Sequence, residues 1–221
     1  MNKRGLFITF EGPDGSGKST IISMVYEKLN QQHFPFKILL TREPGGKNNI
    51  VAEDIRNLLL NKTEYNINYR TEALLFAASR AQHVHDFIKP HLLNGDLVLC
   101  DRYVHSSLVY QGYARGIGFK NIWDINTFAI DNVLPDLVIV LMINPQQGIN
   151  RIKGDLLRDN NRLDREEMDL HNKVYEGYRQ LIDNNRNGTI VQVEASKKID
   201  EVFDDVFQNI IKKINKHYVI K

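Results

Sequence analysis

Apolar, β-rich runs recur at five places in the chain: "GLFITF" from Gly5, "FKILLT" from Phe36, "DLVLCD" from Asp96, "DLVIVLMI" from Asp136 and "TIVQVE" from Thr189. Short apolar runs rich in β-branched residues predict strands, and several of them are continuously apolar, which predicts that both faces of those strands are covered. The intervals between them are long. Several carry apolar residues at helical spacing: "TIISMVYEKL" from Thr20, "IVAEDIRNLLL" from Ile50, "TEALLFAASRAQHVHDFI" from Thr71, "EMDLHNKVYEGYRQLI" from Glu167 and "IDEVFDDVFQNIIKKI" from Ile199. Strands alternating with helices predict an α/β fold, a five-stranded parallel sheet with helices on both faces. With 221 residues, no internal repeat and no low-complexity linker, one domain spanning 1–221 is expected.

One interval breaks the pattern. From Gln146 to Arg165, "QQGINRIKGDLLRDNNRLDR" is rich in Arg and Lys and poor in core-forming positions. A solvated surface helix accounts for that charge, and so does a mobile basic lid that closes over phosphates.

Composition narrows the classes. Hydrophobic residues at 42% and charged residues at 25% exclude a disordered or fibrous chain. A formal net charge of +2 is too small to point to a polynucleotide partner. The single cysteine, Cys100, excludes an internal disulfide and fits a reducing cytoplasm. The apolar run near residue 140 is too short to span a bilayer, and no secretory leader is legible, so a cytoplasmic protein off the membrane is expected.

The most specific chemical signal follows the first apolar run. In "FEGPDGSGKST", Gly12, Gly17, Lys18 and Ser19 satisfy Gly-x4-Gly-Lys-Ser between a strand and a helix, the pattern of a phosphate-binding loop. Glycines let the backbone turn sharply and aim consecutive N–H groups at an anion. Lys18 would reach the donor phosphates, and the Ser19 hydroxyl would belong to a magnesium shell. Asp101, at the end of "LVLCD", is the second expected metal-side acid, with Arg102 beside it. Arg42, in "TREPGG", stands at another strand end. Two guanidiniums at neighbouring strand ends would hold a second phosphate, which suggests a phosphorylated donor and a phosphorylated acceptor.

Taken together, "FEGPDGSGKST", "TREPGG", "LLFAASRAQH", "DRY", "SSLVYQGYARGIG" and "RLDREE" resemble, in order and rough spacing, the bacterial-type thymidylate kinases over about residues 5–195. The resemblance implies the phosphate-loop nucleoside monophosphate kinase fold. It implies transfer of the γ-phosphoryl group of ATP to thymidine monophosphate, with Mg2+, by a homodimer. It assigns Gly12, Pro13, Asp14, Gly15, Ser16, Gly17, Lys18, Ser19 and Thr20 to the ATP phosphates. Arg151 is also assigned to ATP, and Ala195 and Ser196 resemble an adenine-side loop, where a plain turn is an equal contender. Asp14 resembles the loop acid that meets the acceptor sugar and phosphate, Arg42 and Arg102 resemble the acceptor-phosphate clamp, and Arg56 resembles a residue near the thymine pocket. Phe76 resembles the ring stacked on thymine, and Arg80, Ser107 and Gln111 resemble the groups that address its edge. Tyr110 resembles the aromatic that disfavours a ribose hydroxyl. Because position 15 of the loop is Gly rather than a basic residue, the resemblance places the catalytic cation in the lid, at Arg158 or Arg162 in preference to Arg151 or Arg165. His105 departs from relatives, and an exposed helix-start residue is expected there.

Two rival classes fit less well. A regulatory GTPase needs Asn-Lys-x-Asp, but Asn215-Lys216 is followed by His217-Tyr218. Another nucleoside monophosphate kinase would share the loop but not Phe76, Arg80 and Gln111.

Overall fold

The computed structural model describes residues 4–46, 49–61, 66–154, 168–185 and 188–218. All five apolar runs form strands: β1 (Leu6–Glu11), β2 (Ile38–Arg42), β3 (Leu97–Asp101), β4 (Leu137–Met142) and β5 (Ile190–Glu194). They pair in parallel in the order β2-β3-β1-β4-β5. Because side chains alternate across a strand, each central strand feeds two cores. Leu6, Ile8 and Phe10 of β1 and Leu137, Ile139 and Leu141 of β4 pack with α1 (Lys18–Asn30) and α9 (Ile199–Tyr218). On the opposite face Phe7 meets Val84 and Ile88, while Val138, Val140 and Met142 meet Val174 and Tyr178 of α8 (Met168–Asp183). This double coverage is why the central runs read as continuously apolar.

α2 (Ile50–Leu60) coincides with its sequence expectation. The run from Thr71 does not form one regular helix. α3 (Tyr69–His83) passes through a π-helical turn, Val84–Ile88, into α4 (Lys89–Leu93). Pro90 lacks the N–H for an ordinary helical bond, and the wider turn just before it accommodates the ring. A second π-helical stretch, Leu108–Ala114, continues α5 (Val104–Ser107), followed by α6 (Phe119–Ile130). α7 (Pro145–Gly154) occupies the start of the basic interval, and residues 155–165 of that interval lie outside the described residues.

Strand order places the chemistry. β3 lies between β1 and β2, in register Phe10↔Asp101 and Arg42↔Asp101. The carboxyl ends of three strands therefore open onto one crevice, as in other open α/β sheets. Cys100, one residue before that edge, is fully buried, and burial pushes its thiol pKa up.

Candidate active site

Between β1 and α1 the chain turns through Gly12, Gly15 and Gly17, all at positive φ (135°, 75° and 83°), a region that favours glycine. Lys18, the first residue of α1, is buried under this loop. Its Nζ donates to the carbonyls of Gly12 (3.0 Å) and Pro13 (2.7 Å) and to Ser16 Oγ (3.2 Å). Burial, reinforced by the nearby Arg102 charge, lowers its pKa to about 7. Next to it, Ser19 Oγ donates to Asp101 Oδ2 at 2.6 Å, so the two residues read as metal-side groups are adjacent.

Arg102 is one of three non-glycine residues with positive φ among the described residues, at 69°. That turn carries its guanidinium back over the loop, where it donates to the Gly12 carbonyl and to Ser106 Oγ, both at 3.1 Å, and pairs with Asp14. Its guanidinium carbon lies 5.2 Å from the centre of the Tyr110 ring, and the Tyr110 hydroxyl donates to the other Asp14 oxygen at 2.7 Å. Glu11 supports the arrangement from below. One of its oxygens accepts the Tyr103 N–H at 2.8 Å, and the other accepts the hydroxyls of Ser106 and Tyr178 at 2.5 and 3.0 Å. Burial raises the Glu11 pKa, against the pull of these hydrogen bonds and of Arg102.

The second strand end brings Arg42 and Arg56. Arg42 is exposed and donates to both Glu53 oxygens at 3.2 Å, while Arg56 donates to the Pro44 carbonyl at 2.7 Å. Pro44 follows a cis peptide bond from Glu43.

Phe76 and Arg80, one helical turn apart on α3, form the far end together with Ser107 and Gln111. Arg80 is almost entirely buried. Its Nε donates to Glu43 Oε2 at 2.6 Å, one terminal nitrogen donates to Ser107 Oγ (3.1 Å) and Asn126 Oδ1, and the other donates to the Tyr103 carbonyl at 3.2 Å. Gln111 donates its amide N–H to Glu72 at 3.0 Å.

A single cavity of about 630 Å³ joins these parts. Lys18, Ser19 and Thr20 line one end, Phe76, Arg80 and Gln111 the other, and Arg42, Arg56, Asp101 and Arg102 stand between them. Asp14, Ser107, Tyr110 and Arg151 also reach it. Ala195 and Ser196 are not among its lining residues, but Arg151 donates to the Ala195 carbonyl at 3.0 Å and so ties α7 to that loop. Arg158, Arg162 and Arg165 lie outside the described residues.

His105 corrects an expectation. It does sit at a helix start, but it is half-buried, and its Nδ1 has no hydrogen-bond partner among the described residues. Burial and the Arg80 charge hold its pKa down to about 4. Sequence reasoning also missed the groups that hold the site residues in place: Glu11, Glu43, Glu72, Asn126 and Tyr178. "FEG" and "REP" were visible as motifs, but nothing along the chain marks Glu11 or Glu43 as buried acids paired with residues about 40 to 170 positions away.

Comparisons with known proteins identify the family and the fold. The sequence model of the family described as thymidylate kinase matches residues 10–206. A thymidylate kinase of Clostridium novyi (strain NT) is 47% identical over 206 residues, covering 93% of this chain and 98% of the relative. One from Bacillus pumilus (strain SAFR-032) is 43% identical over 215 residues, covering 97% and 99%. Among solved structures, the crystal structure of thymidylate kinase from Ehrlichia chaffeensis superposes with a TM-score of 0.74 at 28% identity, covering 94% of this chain and 99% of that one. On the match over most of its length and on these identities, the chain belongs to the thymidylate kinase family.

Proposed function

We propose that the chain transfers the γ-phosphoryl group of ATP to thymidine monophosphate, giving thymidine diphosphate for dTTP synthesis. The observation that carries this reading is the continuity of the cavity, with a phosphate loop at one end, a ring and a polar edge-reading pair at the other, and arginines between. ATP would lie on the loop, with Lys18 leaving the Gly12 and Pro13 carbonyls for the phosphates. Thymidine monophosphate would stack on Phe76 and place its phosphate at Arg42, Arg56 and Arg102. An acceptor phosphate oxygen then attacks the γ-phosphorus while the bond to the β-bridging oxygen breaks and ADP leaves. Such transfers depend mainly on positioning and on neutralising the charge on the transferring group. Lys18, Arg102 and a lid arginine, Arg158 or Arg162, are the cations of this reading.

Ser19 and Asp101 offer two hard oxygen donors beside the loop, which suits Mg2+, an ion usually held by one or two protein groups plus phosphate oxygens. When bound it supplies charge neutralisation at the β and γ phosphates. Among the described residues no group of three or more His, Cys, Asp or Glu forms a separate metal cage.

The same reading includes one kinase domain with a basic lid at about 146–165, and a cytoplasmic homodimer. Exposed Leu74 on α3 and Trp123 and Phe128 on α6 support a dimer, Phe128 being 91% exposed. No helix among the described residues is long and apolar enough to cross a membrane. A coupled assay with thymidine, deoxyuridine, deoxycytidine and guanosine monophosphates tests the reaction. Thymidine monophosphate should give the highest kcat/KM, and turnover of guanosine monophosphate in its place would overturn the reading.

A further inference from the structure

The base end of the cavity contains an amide whose orientation is fixed by a residue outside the cavity. Gln111 Nε2 donates to Glu72 Oε1 at 3.0 Å, and Glu72 is completely buried. The Arg115 guanidinium lies 3.6 Å from the same oxygen. A carboxylate oxygen beside a guanidinium accepts hydrogen bonds and does not donate them. The amide must therefore turn its NH2 toward Glu72, which leaves its carbonyl oxygen for the cavity that Gln111 lines. Thr9 Oγ1 and His105 Nδ1 are the buried side-chain polar atoms without a partner among the described residues, and Gln111 Oε1 is not one of them, as expected for an atom that faces open space.

Arg80 supplies the opposite character. Four of the five N–H groups of its guanidinium are engaged by Glu43, Ser107, Asn126 and Tyr103, which leaves a donor on a residue that lines the same end. Gln111 and Arg80 thus present one acceptor and one donor, beside a Ser107 hydroxyl that can serve as either. That pair complements the O4 and N3–H of thymine or uracil and opposes the N4–H2 and N3 of cytosine. Reversing the Gln111 amide would replace the acceptor by a donor and remove half of this discrimination.

We propose that Glu72 is a specificity-determining positioning residue: without touching substrate, it fixes the polarity of the Gln111 amide and thereby selects a 4-keto, N3–H pyrimidine over a 4-amino one. The proposal rests on the assignment of thymidine monophosphate to this cavity. Its test uses 5-methyl-deoxycytidine monophosphate, which keeps the methyl group and shape of thymidine monophosphate but reverses the edge. Glu72→Gln can donate to Gln111 as well as accept from it, so the amide loses its imposed direction. The expected result is a drop of about tenfold or more in the ratio of kcat/KM for thymidine monophosphate over the 5-methylcytosine nucleotide. A purely structural role would lower both values together, and an unchanged ratio in a folded Glu72→Gln protein would overturn the proposal. If that variant does not fold, 15N-edited NMR of the unaltered protein decides. A Gln111 side-chain amide proton protected from solvent exchange, with and without thymidine monophosphate, is expected. Rapid exchange of both protons in the free protein would refute a fixed amide. Failure of the unaltered enzyme to phosphorylate thymidine monophosphate would instead count against the assigned reaction.

Discussion

Gly15 of the phosphate loop and Gly148 of α7 meet backbone to backbone. A Cβ on Gly15 would stand 2.2 Å from the Gly148 carbonyl oxygen, and a Cβ on Gly148 would stand 2.6 Å from the Asp14 carbonyl oxygen. Neither position has room for a side chain. The start of the basic interval is thereby seated directly on the loop.

This contact reverses the usual sign of a helix substitution. Gly→Ala inside a helix normally stabilises by about 1 kcal/mol, but Gly148→Ala must push the loop away and should destabilise by about 1–3 kcal/mol. Gly154, at the end of the same helix, has nothing among the described residues within 4 Å of a Cβ, and Gly154→Ala should be neutral or stabilising. Urea unfolding of both variants checks the contrast. Equal effects would mean that the loop yields without cost.

Lys18→Ala should abolish most turnover while leaving the circular dichroism spectrum unchanged, because it removes a cation and no apolar contact. The depressed pKa adds a calorimetric expectation. With a pKa of about 7, the free amine is about nine-tenths neutral at pH 8, and phosphates should recharge it. ATP binding at pH 8 should therefore take up close to one proton, measured from the dependence of the binding heat on buffer ionisation enthalpy. Lys18→Met should lose that uptake. For folding, the unfolded chain holds this proton up to a pKa near 10.4. The penalty for burying the charge is thus complete below pH 7, and Lys18 makes the fold more stable as pH rises from about 7 toward 10.

The Tyr110 ring and its hydroxyl can be separated. Tyr110→Ala should relax discrimination against ribonucleotide acceptors by about tenfold, by opening the volume of the ring. Tyr110→Phe keeps the ring and loses the hydroxyl, which donates to Asp14 and accepts from Arg102 at 3.4 Å. It should retain the selectivity while lowering kcat/KM for deoxy and ribo forms alike. Comparing kcat/KM for the two sugars in both variants decides, and an unchanged ratio in Tyr110→Ala would make the ring mere packing.

Single alanine variants at Arg151, Arg158, Arg162 and Arg165 test the lid. The residue that neutralises the transferring phosphoryl group should lower kcat by up to about a thousandfold, with much smaller changes in either KM. Arg151, which donates to the Ala195 carbonyl, should act more on the KM for ATP. If all four variants keep kcat within about threefold of the parent, roughly 0.7 kcal/mol, no lid arginine carries the chemistry.

The centre of the sheet was legible because β1, β3 and β4 are buried on both faces and so stand out as apolar runs, whereas the edge strands β2 and β5 are partly exposed. The phosphate loop was legible because its glycines and Lys18 occupy fixed spacing over a few residues. What supports the site was not. Glu43 reaches Arg80 and His83 from another element, and Glu11 reaches Tyr178 across nearly the whole chain. An acid looks the same in sequence whether solvated or buried, and only the strand order brings these partners together. His105 was misjudged for the same reason, since a polar residue at a helix start is normally solvated, whereas this one is half covered. The π-helical stretches escaped because a turn of one extra residue hardly disturbs the spacing of apolar positions.

Cys100 has a use unrelated to catalysis. It is the single thiol of the chain, fully buried in β3 and held protonated by its surroundings, so a maleimide or similar reagent cannot reach it while the sheet is closed. Labelling should therefore proceed only through opening events around β3. Its rate, followed by mass spectrometry with and without nucleotide, would report the opening of the strand that carries Asp101 and leads into Arg102, with no background from other cysteines.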